Sequence, residues 1–307
     1  MANRIHCPAL TSLSGVAVVA ICDRHPDKLQ STATRFQIER TYADYKTMIE
    51  DVAPDAVFAI GQPHTMYDTW AWCLGEGLNL FIEKPLGLTL HQARSLAYLA
   101  ESNGSITQVC FQRRASPLLR TLVAQCEARG AVVYSSVEFI KDTPGHLTSA
   151  RDHMYDDGIH AIDTLRSICS GEVASVHSVT RRLGVHDINL IATLLEFDSG
   201  AIGYLYCNWT SGYRSFRVGV HGPSVCAHAD LDGRGYLHND GELEGEVYDA
   251  RQVAGSTDLF VYGGFSGTIR EFLHCVRSGG QPSTNFSDAL KTHIVAEKIL
   301  ALDVLRR

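Results

Sequence analysis

Apolar positions in the first third of the chain fall into short continuous runs separated by stretches of helical period. Gly15-Val16-Ala17-Val18-Val19-Ala20-Ile21-Cys22 is an unbroken, β-branched run, the pattern of a strand buried on both faces. It ends at Asp23, and Pro26 stands where a proline opens a helix, predicted here through Asp27-Lys28-Leu29 to Arg35. Residues 42–51 form the next predicted helix. Residues 55–60 form a second strand, closed by Gly61-Gln62-Pro63. A helix over 65–74 stops at Gly75-Glu76-Gly77, and 78–82 form a third strand. Thr89 caps a helix to residue 100, and 106–111 form the next strand. Strands alternating with single helices of this length predict a parallel, doubly wound sheet. Ligands of such a sheet bind beyond the carboxyl ends of its strands, where Asp23, Pro63 and Glu83-Lys84 all lie.

After about residue 115 the pattern changes. A helix is predicted over 116–129, a strand over 131–140 and a helix over 158–170. Long β-type runs follow at 173–182, 188–197, 201–209 and 214–220. With few helices between them, these runs predict a largely antiparallel sheet in an α+β domain. Helices over 266–277 and 286–305 finish the chain. The division falls between 1–113 and 114–307.

Composition narrows the class. At 307 residues the chain can bury two cores, and 45% hydrophobic with 20% charged residues is ordinary for a globular protein. A net charge of −7 argues against nucleic acid or an anionic membrane as partner. The nine cysteines are scattered singly with no C-x-x-C pair, as reduced buried thiols of a cytoplasmic protein would be. Neither a signal segment nor a membrane-spanning run of about 18 apolar residues is expected.

Two motifs carry chemistry. Phe81-Ile82-Glu83-Lys84-Pro85-Leu86 sets a glutamate, a lysine and a proline at a strand end. Asp156-Asp157-Gly158-Ile159-His160-Ala161-Ile162-Asp163 spaces a carboxylate and an imidazole one helical turn apart. If they meet, Lys84 can steady charge on a reacting oxygen, His160 can take a hydroxyl proton, and Asp156 can orient the ring or bind a neighbouring substrate hydroxyl. The plainer alternatives are a surface ion pair of Lys84 with Glu83 and a satisfied helix histidine. A metal site of His153, Asp156 and His160 is conceivable by ligand type, but nothing else in the chain has metal-ligand spacing, so none is expected. Asp23 suits the ribose hydroxyls of a dinucleotide and Arg24 a 2′-phosphate, while a plain cap of the following helix is the alternative for Asp23. Arg113, Arg114 and Asp163 are candidates for substrate contact or packing between the domains. Trp209, Tyr213 and Phe216 suit sheet core or an oligomer interface better than a sugar platform. Gly263-Gly264-Phe265-Ser266-Gly267 reads as flexible loop.

Glu83-Lys84-Pro85 after a strand, with Asp156-x-Gly158-x-His160-x-x-Asp163 downstream, resembles the Gfo/Idh/MocA (glucose-fructose oxidoreductase / inositol dehydrogenase) family over nearly the whole chain. Val18 to Asp23 with Pro26, Asp55-Ala56-Val57 leading to Pro63, and Val109-Cys110-Phe111-Gln112-Arg113-Arg114 add to the match. The resemblance implies a Rossmann-like domain and a second α+β domain with a large, mostly antiparallel open sheet. It implies NAD or NADP as cofactor, a small polyhydroxylated substrate such as a sugar or cyclitol, and a homodimer or homotetramer through that sheet. Lys84, Asp156 and His160 fall on the family's catalytic positions, and Asp23, Arg24, Gln62, Pro63, Glu83 and Lys84 on the cofactor side. Residues 1–10 match the inside of the family's first helix, so the first strand and its glycine-rich turn are expected before residue 1. Without them, two strands should lack a neighbour on one side. The functions left open are an NAD(P)-dependent oxidoreductase acting on a secondary alcohol or ketone, and a non-redox lyase or decarboxylase or a cofactor-free subunit on the same fold.

Overall fold

The computed structural model describes residues 1–143 and 150–305. The chain opens on a π-turn at Ala2–His6 that runs into helix α1 (Cys7–Thr11), with Ile5, Ala9 and Leu10 buried. Strand β1 (Ile21–Cys22), helix α2 (Pro26–Phe36), β2 (Thr41–Tyr42) and α3 (Tyr45–Val52) follow. Then come β3 (Val57–Ala59), α4 (Pro63–Gly75), β4 (Leu80–Ile82), α5 (Leu90–Ser102) and β5 (Thr107–Val109). Pro26 and Pro63 open their helices, and the Asp44 and Thr89 side chains accept from the N–H groups of Thr47 and Gln92. Each such cap is worth about 1 kcal/mol.

All pairings in this half are parallel, as the alternation predicts, but they form two separate sheets. β1 pairs only with β2, and β3, β4 and β5 form the other sheet. The apolar run at 15–22 is therefore a paired strand only at its end. Among the described residues no strand lies against its other edge, so its remaining backbone has no ladder to join. Val16 and Val18 still pack on the core with Phe58 and Ile60.

The second half begins with α6 (Pro117–Glu127) and β6 (Tyr134–Asp142), then α7 (Ala150–His153) and α8 (Ile159–Cys169). Strands β7 (Val173–Arg181), β8 (Leu190–Phe197), β9 (Ile202–Asn208) and β10 (Thr210–Gly222) match the long β-type runs. Three more, β11 (Val225–Asp230), β12 (Arg234–Asn239) and β13 (Glu246–Asp249), lie where the hydrophobic pattern assigns nothing. Ala227, Ala229 and Gly235 among the inward positions are small, and Tyr236 and Val247 stand on the outward face, so the alternation has little contrast. The eight strands form one sheet in the order β13-β12-β11-β10-β6-β9-β8-β7, antiparallel except where β6 meets β9.

Short helices α9 (Ala250–Ala254) and α10 (Leu259–Tyr262) lead to α11 (Phe265–Ser278) and α12 (Phe286–Leu305). α11 returns to the first half: Phe272 packs on Phe58 and Phe81 with ring centroids 5.5 and 5.6 Å apart. Burying a side chain of that size stabilises by about 1.5–3 kcal/mol. The 263–267 segment is a helix start rather than the flexible loop expected. Gly264 has φ +92°, and a Cβ there would lie 2.1 Å from the Gln112 carbonyl oxygen, so only glycine lets the helix dock on that turn. α12 packs against both α5 and α8. Packing thus ties the two halves together across residue 113. No helix among the described residues is long and apolar enough to cross a membrane.

Candidate active site

β4 is buried at all three residues and delivers Glu83 and Lys84 to its carboxyl end, where the Lys84–Pro85 bond is cis. The two side chains part there. Glu83 turns inward and its Oε1 lies 2.6 Å from His6 Nε2, both groups buried. Lys84 reaches the second half and donates from Nζ to Asp156 Oδ1 at 2.7 Å, and also to the Asp156 carbonyl. A surface pair between Glu83 and Lys84 is therefore ruled out. The Glu83 carboxylate, expected on the cofactor side, closes on His6 of the opening π-turn.

Asp156 lies in a π-turn, Met154–Gly158, that runs directly into α8. Wide turns of this kind are found at functional sites because they re-aim one or two side chains on an otherwise regular helix. Burial pushes the Asp156 carboxyl up, but the Lys84 ammonium outweighs it and holds the group below its ordinary range. His160 follows on α8, half-buried, with Phe111 edge-on at 6.1 Å. Its Nδ1 is buried with no partner among the described residues. Burial first, then the charges of Lys84, Arg113, Lys141 and Arg214, push this imidazole well below the usual histidine range. It is neutral at pH 7, the form that accepts a proton.

Asp23, Arg24, Gln62 and Pro63 stand with Lys84 at the carboxyl ends of the parallel strands. Asp23 Oδ1 accepts from the His25 N–H at 2.9 Å within the strand-to-helix turn, without capping α2 itself, and Arg24 and Gln62 are exposed. Asp23 and Arg24 offer a carboxylate and a guanidinium, and Lys84 with His160 an ammonium and an imidazole, the side-chain types that the two ends of a dinucleotide take. Among the described residues no glycine-rich turn precedes the first helix.

Arg114 and Asp163 do not reach the cleft. Arg114 donates from Nε and Nη2 to the Asp163 carboxylate at 2.7 and 2.6 Å, and from Nη2 to Asp288 at 2.8 Å. Arg166 closes the network on Asp288 at 2.9 Å. Asp163 is 1% exposed, so this is an internal clamp between α8, α12 and the turn after β5, with no room for substrate. His153, one of the three metal candidates, instead packs edge-on against Trp209 at 4.7 Å. Among the described residues, the His, Cys, Asp and Glu side chains close enough to share an ion are His6, Glu83 and Cys110. There the direct His6–Glu83 bond and burial of Cys110, which pushes its thiol well up, make a core contact. Trp209 and Phe216 are core, as expected, and Tyr213 is exposed.

The sequence reading missed a layer beneath the trio. Asp157, 5% exposed, receives the Lys141 ammonium and, at 2.8 Å, Trp209 Nε1. Arg113 and Arg214 both bind Asp232, Arg113 from Nη1 at 2.7 Å and Arg214 at 2.8 Å. The doubled Asp156-Asp157 was the available signal, since the second aspartate faces the sheet on a helix start and needs a cation there.

Comparison with known proteins bears on the family and the fold. Residues 1–111 match the family model described as "Oxidoreductase family, NAD-binding Rossmann fold", and residues 130–224 match the "GFO/IDH/MocA C-terminal domain". The chain is 28% identical over 222 residues to scyllo-inositol 2-dehydrogenase (NAD(+)) of Bacillus subtilis, a match spanning 66% of this chain and 63% of that enzyme. It is 24% identical over 313 residues to D-apiose dehydrogenase of Paraburkholderia graminis, covering 96% of this chain and 83% of that one. A crystal structure of a dehydrogenase from Chromobacterium violaceum superposes with a TM-score of 0.89 at 21% identity, over 99% of this chain and 93% of that one.

Proposed function

The chain belongs to the Gfo/Idh/MocA oxidoreductases, whose first domain is an NAD-binding Rossmann fold, and we propose that it interconverts a secondary alcohol and a ketone on a small polyol with NAD(H) or NADP(H). The observation that carries this is the Lys84–Asp156 bond across the two halves, beside a neutral His160. When bound, the nicotinamide accepts or returns the hydride. His160 takes the hydroxyl proton as the carbon–oxygen bond gains double-bond character, and gives it back in the reverse direction. Lys84 directs its remaining donors at the same oxygen and steadies the charge that grows there. Asp156 fixes Lys84 in place, and its exposed second oxygen suits a neighbouring hydroxyl of the substrate. Asp23 and Arg24 receive the adenosine end.

An inositol and an apiose dehydrogenase among the relatives support a polyhydroxylated substrate. Val179, Leu194, Ile202, Tyr204, Tyr236 and Val247 stand exposed on the outward face of the eight-stranded sheet, which supports a dimer or tetramer through that face. Light scattering coupled to size exclusion tests it, and a monomer at micromolar protein would overturn it. For the chemistry, His160→Ala and Lys84→Met should each lower turnover by about 10²–10⁴-fold with the fold intact. Undiminished turnover in either variant removes that residue from the reaction.

A further inference from the structure

The strand pair β6–β10 is regular up to Ile140↔Ser215 and then slips, so that Thr210 next pairs with Asp142. The extra residues of β10 bulge out opposite Lys141. Bulges of this sort break the alternation of a sheet and re-aim side chains. Here Ile140 and Phe139 are both buried, and Lys141 is turned toward Asp157.

The bulge gathers cations on an aromatic pair. Phe139 and Phe216 pack in a tilted pair, ring centroids 5.0 Å apart and planes at 59°. Lys141 Nζ lies 5.2 Å and the Arg214 guanidinium 5.8 Å from the Phe139 ring, and Arg113 lies 4.7 Å from Phe216. With Lys84 these make four cations. Their carboxylate partners are three: Asp156 for Lys84, Asp157 for Lys141, and Asp232 shared by Arg113 and Arg214. Asp230 stands beside them on the Ser215 hydroxyl, and because Arg113 and Arg214 share the Asp232 carboxylate, Arg214 keeps donors to spare. It is also open where it matters. Arg214 is 52% exposed, and among the described residues only its Nη1 is engaged. All four cations push the His160 imidazole in the same direction, so their charge bears on the group assigned the proton.

We propose that the substrate is an anionic polyol, a hydroxy acid or sugar acid whose carboxylate is received by Arg214 and Lys141. This rests on the oxidoreductase reading and narrows its substrate class. The Arg214 fork offers the paired N–H groups that a carboxylate accepts. An anion seated there also offsets the cations that depress His160 and so strengthens it as a base when substrate is bound.

The test uses matched probes, D-gluconate against sorbitol and L-tartrate against threitol, titrated calorimetrically into the full chain, with sorbitol 6-phosphate as a third arm. At least one acid should bind about tenfold or more tightly than its neutral partner, the worth of one charge-assisted contact. Arg214→Gln should collapse that ratio. The variant leaves Asp232 with Arg113, and a thermal melt reports whether it folds. Equal affinity for acids and neutral polyols, no binding of either acid, tighter binding of the phosphate ester, or a ratio unmoved by Arg214→Gln in a folded variant overturns the proposal. A titration with NADH on the same preparation reports separately on the oxidoreductase reading, so a failure of one is not mistaken for a failure of the other.

Discussion

Replacing Arg114 by methionine separates a clamp from a substrate ligand. The guanidinium makes three bonds to carboxylates, at 2.7, 2.6 and 2.8 Å. Its loss leaves Asp163, 1% exposed, with the Thr292 hydroxyl at 3.3 Å as its remaining close partner, while Arg166 stays on Asp288. At an effective dielectric of about 20, charges near 4 Å attract by about 4 kcal/mol. Removing one member of a buried pair destabilises by about 3–5 kcal/mol because the survivor's desolvation is no longer offset. In a chain this size that lowers the melting temperature by roughly 6–20 °C. Burial already pushes Asp163 up even with Arg114 beside it. A carboxyl whose folded pKa is raised destabilises above that pKa and not below its unfolded value, so the deficit of Arg114→Met should shrink as pH falls from 8 toward 4. Adding Asp163→Asn should recover much of the loss. Circular dichroism melts across pH check all three points, with KM measured well below the melting range. A variant that melts within about a degree of the parent yet shows a raised KM would refute the clamp and return Arg114 to the substrate.

Three further expectations follow from buried titratable groups. Burial pushes His293 down to about 4, so the unfolded chain binds a proton there that the folded chain refuses. Stability on this account is complete above about pH 6.5 and falls toward pH 4, and His293→Gln should lessen that loss by about 3 kcal/mol in urea melts. The depressed His160 should keep kcat/KM for alcohol oxidation level through the ordinary histidine range near pH 6.5, with the fall coming lower. Arg214→Gln should move that fall upward, and a wild-type midpoint at the ordinary value would contradict the burial described. Trp209→Phe strips a buried donor from Asp157 and should lower stability by about 1–3 kcal/mol, measured by the same melts.

Much of the fold was legible because its elements state themselves locally. Pro26, Pro63 and Thr89 mark helix starts within one or two residues of where they form. The buried runs at β3, β4 and β5 could only be parallel strands between helices. Strands β11 to β13 were not legible, since contrast between their faces depends on which side the sheet buries, a tertiary fact. For the site, Lys84, Asp156 and His160 were readable as types with compatible chemistry. Their meeting was not derivable from spacing, because 72 residues separate Lys84 from Asp156. Glu83, Arg114 and Asp163 look the same in sequence as site residues. What removes them is a buried partner in each case: His6 for Glu83, and one another for the other two. Lys141 escaped notice because a β-bulge aims it, and a bulge leaves no mark in hydrophobic pattern.

The most direct test of the central claim is a fluorescence or calorimetric titration of the folded chain with NADH and NADPH. Saturable binding of at least one of them, with nicotinamide emission altered by Lys84→Met, is the expected result. A folded chain that binds neither would contradict the assignment of this cleft to nicotinamide-dependent chemistry.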